Sequence, residues 1–416
     1  MSRLVGSGGG AIARRIVLIS GLLLMAPSAS ALAAAVPKID ADAAIVVEAS
    51  TGQVAYAKRP NQRLAIASTT KLMTALLTLE RGGLNDLFTA SAYKGEADES
   101  KLGLAAGEQM TVADLLRSLL LVSANDGAID LASGVSGSVS AFVAAMNARA
   151  HQLGLRNTNY ANPIGLDDPA NYSTATDLAK LAIILRRNPL FRKIVDQESI
   201  RLQSGKQSRK ITNTNDLLGV WPAVNGVKTG HTDAAGYVLV GSATQNGITV
   251  VSVVLGDPSK AARDADTLAL LHYGLSQFRN VTPVQRGDHL ATTKVKYRNE
   301  EKIALIASAS VHRVVRRGAK VAVSVIGVPE QLQGPLPART QEATVVISIS
   351  GRVTARVALL TASAVPAIGI GERTLGFLLK PAPLAVIAVV LIGLVMLVRL
   401  IRNRRRRQKA SESQLT

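Results

Sequence analysis

Residues 66–75 read I66-A-S-T-T-K-L-M-T-A75 and set a serine and a lysine, Ser68 and Lys71, three positions apart inside an apolar run. On a helix, positions i and i+3 share a face, about 5–6 Å apart at Cβ. A lysine held that close can take the serine's proton and leave an alkoxide-like nucleophile. S-x-x-K is common by chance, so its meaning rests on what the rest of the chain supplies. The helix is predicted to run from about Ser68 to Arg81, with Gly82-Gly83 as its stop.

Upstream, residues 43–57 (A-A-I-V-V-E-A-S-T-G-Q-V-A-Y-A) read as two strands around an S-T-G turn. Downstream, residues 111–121 have helical periodicity with Thr111 as N-cap and Asp114 three residues on. Residues 126–135, 139–153 and 174–187 continue helically. The run V-L-V-G-S-A-T (238–244), the Asn246-Gly247 turn and I-T-V-V-S-V-V-L (248–255) make a hairpin, and a helix follows from about Ala261 to Phe278. Strand, helices, strands, helix predicts an α/β (α+β) layer whose antiparallel sheet is built from both ends of the segment.

Near Val281 the texture changes. Short β runs at 289–296, 302–308, 320–325, 344–350 and 352–359 alternate with turn residues, which predicts a small all-β domain over 281–372. It holds no charged constellation, so it reads as a spacer or docking module.

The ends of the chain set its surroundings. Residues 1–35 resemble a secretory signal: Arg14-Arg15, the apolar run Ile16–Ala26, then small residues with A-x-A spacing at 29–31 and 31–33. Residues 382–401 form an apolar segment of span length, charged only at Arg399, with a basic tail over 402–416. The positive-inside rule puts that tail in the cytoplasm and the large middle, 36–280 and 281–372, outside it at the cell membrane. The formal charge of the 416-residue chain is +19. The topology turns that charge toward anionic lipid or an anionic wall and away from nucleic acid, ATP or nicotinamide cofactors. A 47% hydrophobic composition excludes a disordered chain, and the absence of cysteine excludes a disulfide scaffold and a thiolate nucleophile. Five histidines without H-x-x-x-H pairing argue against a zinc site, and no organic cofactor is implied.

Two further stretches offer partners for Ser68 and Lys71. L-V-S-A-N-D-G-A (121–128) lies between helical patterns, so Ser123 and Asn125 are expected in a loop, either capping a helix or facing one cavity together. N225-G-V-K-T-G-H-T-D-A-A-G-Y-V-L-V240 sets Lys228, Thr229 and Gly230 just before the hairpin. Lys228 would offer a positive charge and Thr229 a hydroxyl, while Gly230 would leave the surface open to a substrate backbone that ends in a carboxylate. Asp126 and Asp233 are expected to cap or solvate turns. Trp221, the one tryptophan, is expected in packing rather than in a substrate groove.

Taken in order, S-x-x-K, S-x-N and K-T-G are the signature of penicillin-binding proteins and serine β-lactamases. The chain more closely resembles the low-molecular-weight D-alanyl-D-alanine carboxypeptidases, serine peptidase family S11, over about residues 40–280. Longer strings carry that resemblance: 67–74, 123–126, L-G-L-R-N-T-N-Y-A-N-P-I-G-L (153–166), 173–179, 213–218 and 226–237. The second motif reads S-A-N where many members have S-G-N. A full membrane span also departs from the amphipathic-helix anchor of many members.

The resemblance implies that Ser68 attacks the penultimate D-alanine carbonyl of a peptidoglycan pentapeptide and is acylated by β-lactam antibiotics. It implies Lys71 as base, Ser123 as proton relay to the leaving amine, and Asn125 holding Lys71 or the substrate amide. Lys228, Thr229 and Gly230 would bind the substrate, and the main-chain N–H groups of Ser68 and His231 would form the oxyanion hole. Alternatives are an endopeptidase cutting crosslinks, a non-catalytic wall-binding protein, or a β-lactamase. Against the last, the only glutamate between Asn125 and Lys228 is Glu198, which lacks the asparagine partner of the class A deacylation motif.

Overall fold

The computed structural model describes residues 35–378 and 381–412. The signal-sequence reading therefore falls almost wholly outside the described residues, as does the end of the basic tail. By contacts the chain divides into two compact units. One runs through Val281 and takes back Val314–Gly318; the other holds Thr282–Arg313 and the residues from Ala319 on.

The first unit is organised by a five-stranded antiparallel sheet. Its strands are β1 (Ala43–Glu48), β2 (Val54–Lys58), β3 (Val224–Thr232), β4 (Gly236–Gln245) and β5 (Ile248–Asp257), in the order β2-β1-β5-β4-β3. The two ends of the segment meet where Ile45 pairs with Val253 and Val47 with Val251. β1 is apolar at nearly every position because both its faces are covered. Successive side chains alternate between faces: Ala44 and Val46 pack with Leu239, Val250, Leu270 and Leu271 under helix α7 (Lys260–Ser276). Ala43, Ile45 and Val47 join Val251, Val253 and Leu255 in the core shared with the helical layer.

That layer is the material between β2 and β3. It contains α1 (Lys71–Arg81), α2 (Val112–Leu121), α3 (Asn125–Ser136), α4 (Val139–Gln152), α5 (Ala175–Leu185) and α6 (Pro189–Val195). Side-chain caps set several starts: Thr111 accepts from the Asp114 N–H, Thr174 from that of Asp177 and Ser259 from that of Ala262. Leu72, Met73 and Leu76 of α1 face Leu115, Leu119, Leu131 and Leu178 in one apolar cluster.

The structure adds one strand and corrects two local expectations. Lys228, Thr229 and Gly230 precede the hairpin as expected, and they lie inside β3, a third strand paired with β4 through Thr229–Leu239 and Lys228–Val240. Asn125 is not in a loop but is the first residue of α3. Ser123 is not extended: it sits in the intervening turn at φ 61°. Lysine and glycine are weak strand formers, so the pattern of β3 is set by its place in the sheet rather than by propensity.

The second unit is a six-stranded sheet. Its strands are β6 (His289–Val295), β7 (Arg298–Ala307), β8 (Val321–Ile326), β9 (Gln331–Leu332), β10 (Gln341–Ile349) and β11 (Arg352–Thr361), in the order β8-β10-β11-β7-β6-β9. Leu305, Val345, Ile347 and Leu359 are buried at its centre. Besides β9, the strands Phe278–Val284 and Val311–Arg316 were not expected, because they are short or interleaved with arginine and asparagine. A final helix, Pro381–Glu412, includes a 25-residue stretch, Pro381–Arg405, whose most apolar 18-residue window has a mean hydropathy of 3.0, long and apolar enough to cross a membrane. It does not end at 401. The helix continues through the basic run, since arginine, lysine and glutamine are good helix formers.

Candidate active site

The nucleophile turn begins at Ala67, held at φ 44°, in the left-handed region that costs a non-glycine residue free energy. A 3₁₀ turn over Ala67–Thr70 leads into α1 and brings Ser68 to the head of the helix. The i,i+3 spacing does what the sequence suggests: Lys71 Nζ lies 3.0 Å from Ser68 Oγ.

Lys71 is 0% exposed, and each donor of its amine has an assigned acceptor. Besides Ser68 it donates to Asn125 Oδ1 at 2.6 Å and to the Ile164 carbonyl at 2.5 Å. Burial pushes its pKa well below the usual lysine value, and the nearby charge of Lys228 pushes the same way; Glu99 and Asp126 oppose them. This is the condition for a lysine that can be neutral and accept a proton.

Asn125 is oriented from its far side. Its Nδ2 donates to Glu99 Oε2 at 2.7 Å, and the Tyr93 hydroxyl donates to the same oxygen. With Nδ2 committed to a carboxylate, Oδ1 must face Lys71. Burial opposes the charge of Glu99, but the bonds from Tyr93 and Asn125 outweigh it and its carboxyl titrates below the usual range. Tyr93 and Glu99 went unnoticed in the sequence because Y-x₅-E in a polar loop has neither period nor motif.

Asp126 is buried rather than solvated. Its carboxylate receives the N–H groups of Leu102, Gly103 and Leu104, pinning the loop that carries Glu99. Two residues before Asn125, the Ser123 hydroxyl is buried and has no hydrogen-bond partner among the described residues.

The opposite wall is β3, the edge of the sheet. Lys228 is 1% exposed, and burial, with Arg263 nearby, brings its pKa down to about 7. Its Nζ donates to the Thr229 carbonyl at 2.9 Å. Thr229 Oγ1 lies 2.7 Å from Thr214 Oγ1, a partner inside the N-T-N-D-L-L string. Gly230 allows the closest approach. A Cβ there would lie 2.9 Å from the Ser68 nitrogen and 3.0 Å from Ala67 Cβ, so any side chain would push the strand off the nucleophile. Gly165, at φ 88°, is pressed against the Ala67 carbonyl in the same way. The exposed ring of His231 stacks on Tyr237 with centroids 4.0 Å apart. Asp233 is exposed, and Trp221 stacks on His272 at 3.8 Å, in packing as expected. Among the described residues no cluster of three or more His, Asp or Glu could hold a metal.

The site thus unites Ser68 with Lys71, Asn125, Lys228, Thr229 and Gly230. It offers a serine with an adjacent enclosed amine, next to a strand edge carrying a cation and a hydroxyl.

Comparison with known proteins identifies the family. Residues 30–259 match the sequence model of the family described as D-alanyl-D-alanine carboxypeptidase, and residues 278–367 match that of the penicillin-binding protein 5 C-terminal domain. The chain is 32% identical over 324 residues to the D-alanyl-D-alanine carboxypeptidase DacF of Bacillus subtilis, covering 76% of this chain and 83% of that one. It is 34% identical over 331 residues to DacA of Haemophilus influenzae, with the same coverage of each chain. Penicillin binding protein 5 from Haemophilus influenzae superposes with a TM-score of 0.58 at 31% identity, over 79% of this chain and 98% of that one.

Proposed function

We infer, for a chain that belongs to the D-alanyl-D-alanine carboxypeptidase family, that the side chains gathered around Ser68 divide the work of a two-step acyl transfer. The protein is a serine-type hydrolase, a penicillin-binding carboxypeptidase. The observation that carries the assignment of roles is the enclosed Lys71 amine, 3.0 Å from Ser68 Oγ and fixed on Asn125.

Neutral Lys71 takes the Ser68 proton as Oγ bonds to the carbonyl carbon of the penultimate D-alanine. The oxyanion is received by the main-chain N–H groups of Ser68 and His231. Ser123 passes a proton to the departing D-alanine amine as the C–N bond breaks. Its unpartnered hydroxyl supports this role: a buried polar group left unpaired costs about 1–3 kcal/mol, which a bound amine would recover. Water, deprotonated by Lys71, then releases the stem peptide from Ser68. Lys228 and Thr229 hold the substrate's terminal carboxylate. Free D-alanine released from a peptide ending in D-Ala-D-Ala is the direct test, and no release would refute the reading.

The pH profile tests the two lysines separately, since kcat/KM reports groups of the free enzyme. Activity requires Lys71 neutral, so kcat/KM should rise with pH through its depressed pKa. It requires Lys228 charged, so kcat/KM should fall above about pH 7. In Lys228→Met the alkaline limb should vanish with a raised KM; a limb that persists would remove Lys228 from the role. Glu99 bears on the acid limb. Its carboxylate favours the charged form of Lys71, so Glu99→Gln, which keeps an acceptor for Asn125, should move the acid limb to lower pH. An unmoved limb would show that Glu99 does not act on Lys71.

The basic run after the apolar helix supports a single-pass anchor with that end in the cytoplasm and the catalytic unit outside. There, removal of terminal D-alanine would leave fewer donors for crosslinking the wall.

A further inference from the structure

A cleft of about 470 Å³ lies away from Ser68, lined by Glu48, Ser50, Arg186, Arg187, Arg192 and Gly247 among others. It sits at the turns that join β1 to β2 and β4 to β5. Along β4, Leu239 pairs with Thr229, and the strand ends at Gln245, two residues before Gly247. At about 3.3 Å per residue, that sets the cleft about 20 Å from the carboxylate clamp. No step of the acyl transfer reaches it.

Three arginines meet there from one bend of the chain. Arg186 caps the end of α5, Arg187 follows it, and Arg192 comes from α6. Arg192 Nη1 donates to the Arg186 carbonyl at 2.6 Å and to the Arg187 carbonyl at 3.3 Å. A cation on the last carbonyls of a helix is favourable in itself, and that role suffices for Arg192. It does not account for Arg186, which is only 8% exposed. Its guanidinium has one assigned hydrogen bond among the described residues, from Nη1 to the Asn225 carbonyl at 2.8 Å, whereas arginine carries five donors. Burial brings its pKa down to about 10; the charge of Asp196 opposes that fall and the charge of Arg192 adds to it. The exposed Arg187 side chain has no assigned bond, and none of the three belongs to an ion pair among the described residues.

Two carboxylates are near, and neither neutralises the group. Glu48 lines the cleft, but both its oxygens are taken by the N–H and hydroxyl groups of Ser50 and Thr51. The charge of Asp196 acts on Arg186 without forming an ion pair with it. Three positive charges thus face a cleft whose one carboxylate is already committed.

We propose that this cleft is an anion site for the phosphate group of a phosphate ester, separate from the catalytic centre. One guanidinium fork fills a planar carboxylate, whereas a phosphate has oxygens in more than one plane and can accept from several arginines at once. Bound there, the phosphate accepts from the unused donors of Arg186 and lies between the charges of Arg186, Arg187 and Arg192. A soluble phosphate monoester and the diester headgroup of an anionic lipid both offer this chemistry.

The test is calorimetric titration of the full-length protein in non-ionic detergent at fixed ionic strength. The probes are inorganic phosphate, glycerol phosphate, glycerophosphoglycerol and acetate. Phosphate should bind with a Kd on the order of 1 mM, as a few charge-assisted hydrogen bonds imply, and acetate about tenfold more weakly. Tighter binding of glycerophosphoglycerol would identify a lipid headgroup as the source, and tighter binding of glycerol phosphate a soluble ester. Arg187→Gln, which removes an exposed charge with no assigned bond, should weaken phosphate about three- to fivefold. Arg186→Lys keeps the charge but loses the fork, and should weaken it about tenfold. Lys228→Met, which removes the cation of the catalytic clamp, should leave binding unchanged. Absence of phosphate binding up to about 10 mM, or acetate binding as well as phosphate, would overturn the site. So would binding that is lost in Lys228→Met and kept in both arginine variants, because the anion would then lie at the catalytic clamp.

Discussion

Replacing Ser68 by alanine should abolish both D-alanine release and covalent labelling by penicillin, with a loss of about 10⁴-fold or more in kcat. The fold should survive, because the serine side chain makes one assigned hydrogen bond, to Lys71. The rest of the site cannot compensate: no cysteine exists in the chain, and a lysine that loses its serine partner can activate only water. Mass spectrometry of the penicillin-treated protein checks the outcome. A stable adduct in Ser68→Ala at the wild-type level would place the nucleophile elsewhere.

Lys71→Met should be nearly as damaging, for a different reason. Methionine fills the apolar part of the space and removes the proton acceptor, so acylation should slow by about 10²–10⁴-fold, the usual contribution of a positioned general base. What remains should lose its acid limb, because the group that titrates is gone. Lys71→Arg should not rescue activity, since arginine stays protonated and cannot act as a base. The measurement is the rate of penicillin acylation against pH in each variant. Arginine restoring acylation would show that position 71 needs a charge and not a base. The same burial that makes Lys71 reactive also makes it a liability, because its charged form is disfavoured in the fold.

The fold was readable wherever a local pattern had one physical meaning. The apolar strand 43–48, the Asn246-Gly247 turn and the Thr111 cap each specify backbone geometry from neighbours in sequence. The bounds and pairing of strand β3 were not readable, because Lys228, Thr229 and Gly230 are there for what they present to Ser68. Asn125 did not read as helical, because asparagine at a helix start looks like a loop until the helix is seen.

What the sequence by itself determined is the set of chemical groups and their order: a serine and lysine one helical turn apart, a second serine with its asparagine, and a lysine-threonine-glycine strand. Their spacing sufficed because i,i+3 on a helix is a distance. What only the tertiary structure decided is the state those groups are in. The enclosure of Lys71, the pKa of Lys228 near 7 and the turning of Asn125 by Glu99 and Tyr93 all come from residues far apart in the chain. Desolvation and Coulomb interaction depend on what surrounds a group in space, and no spacing along the sequence encodes that.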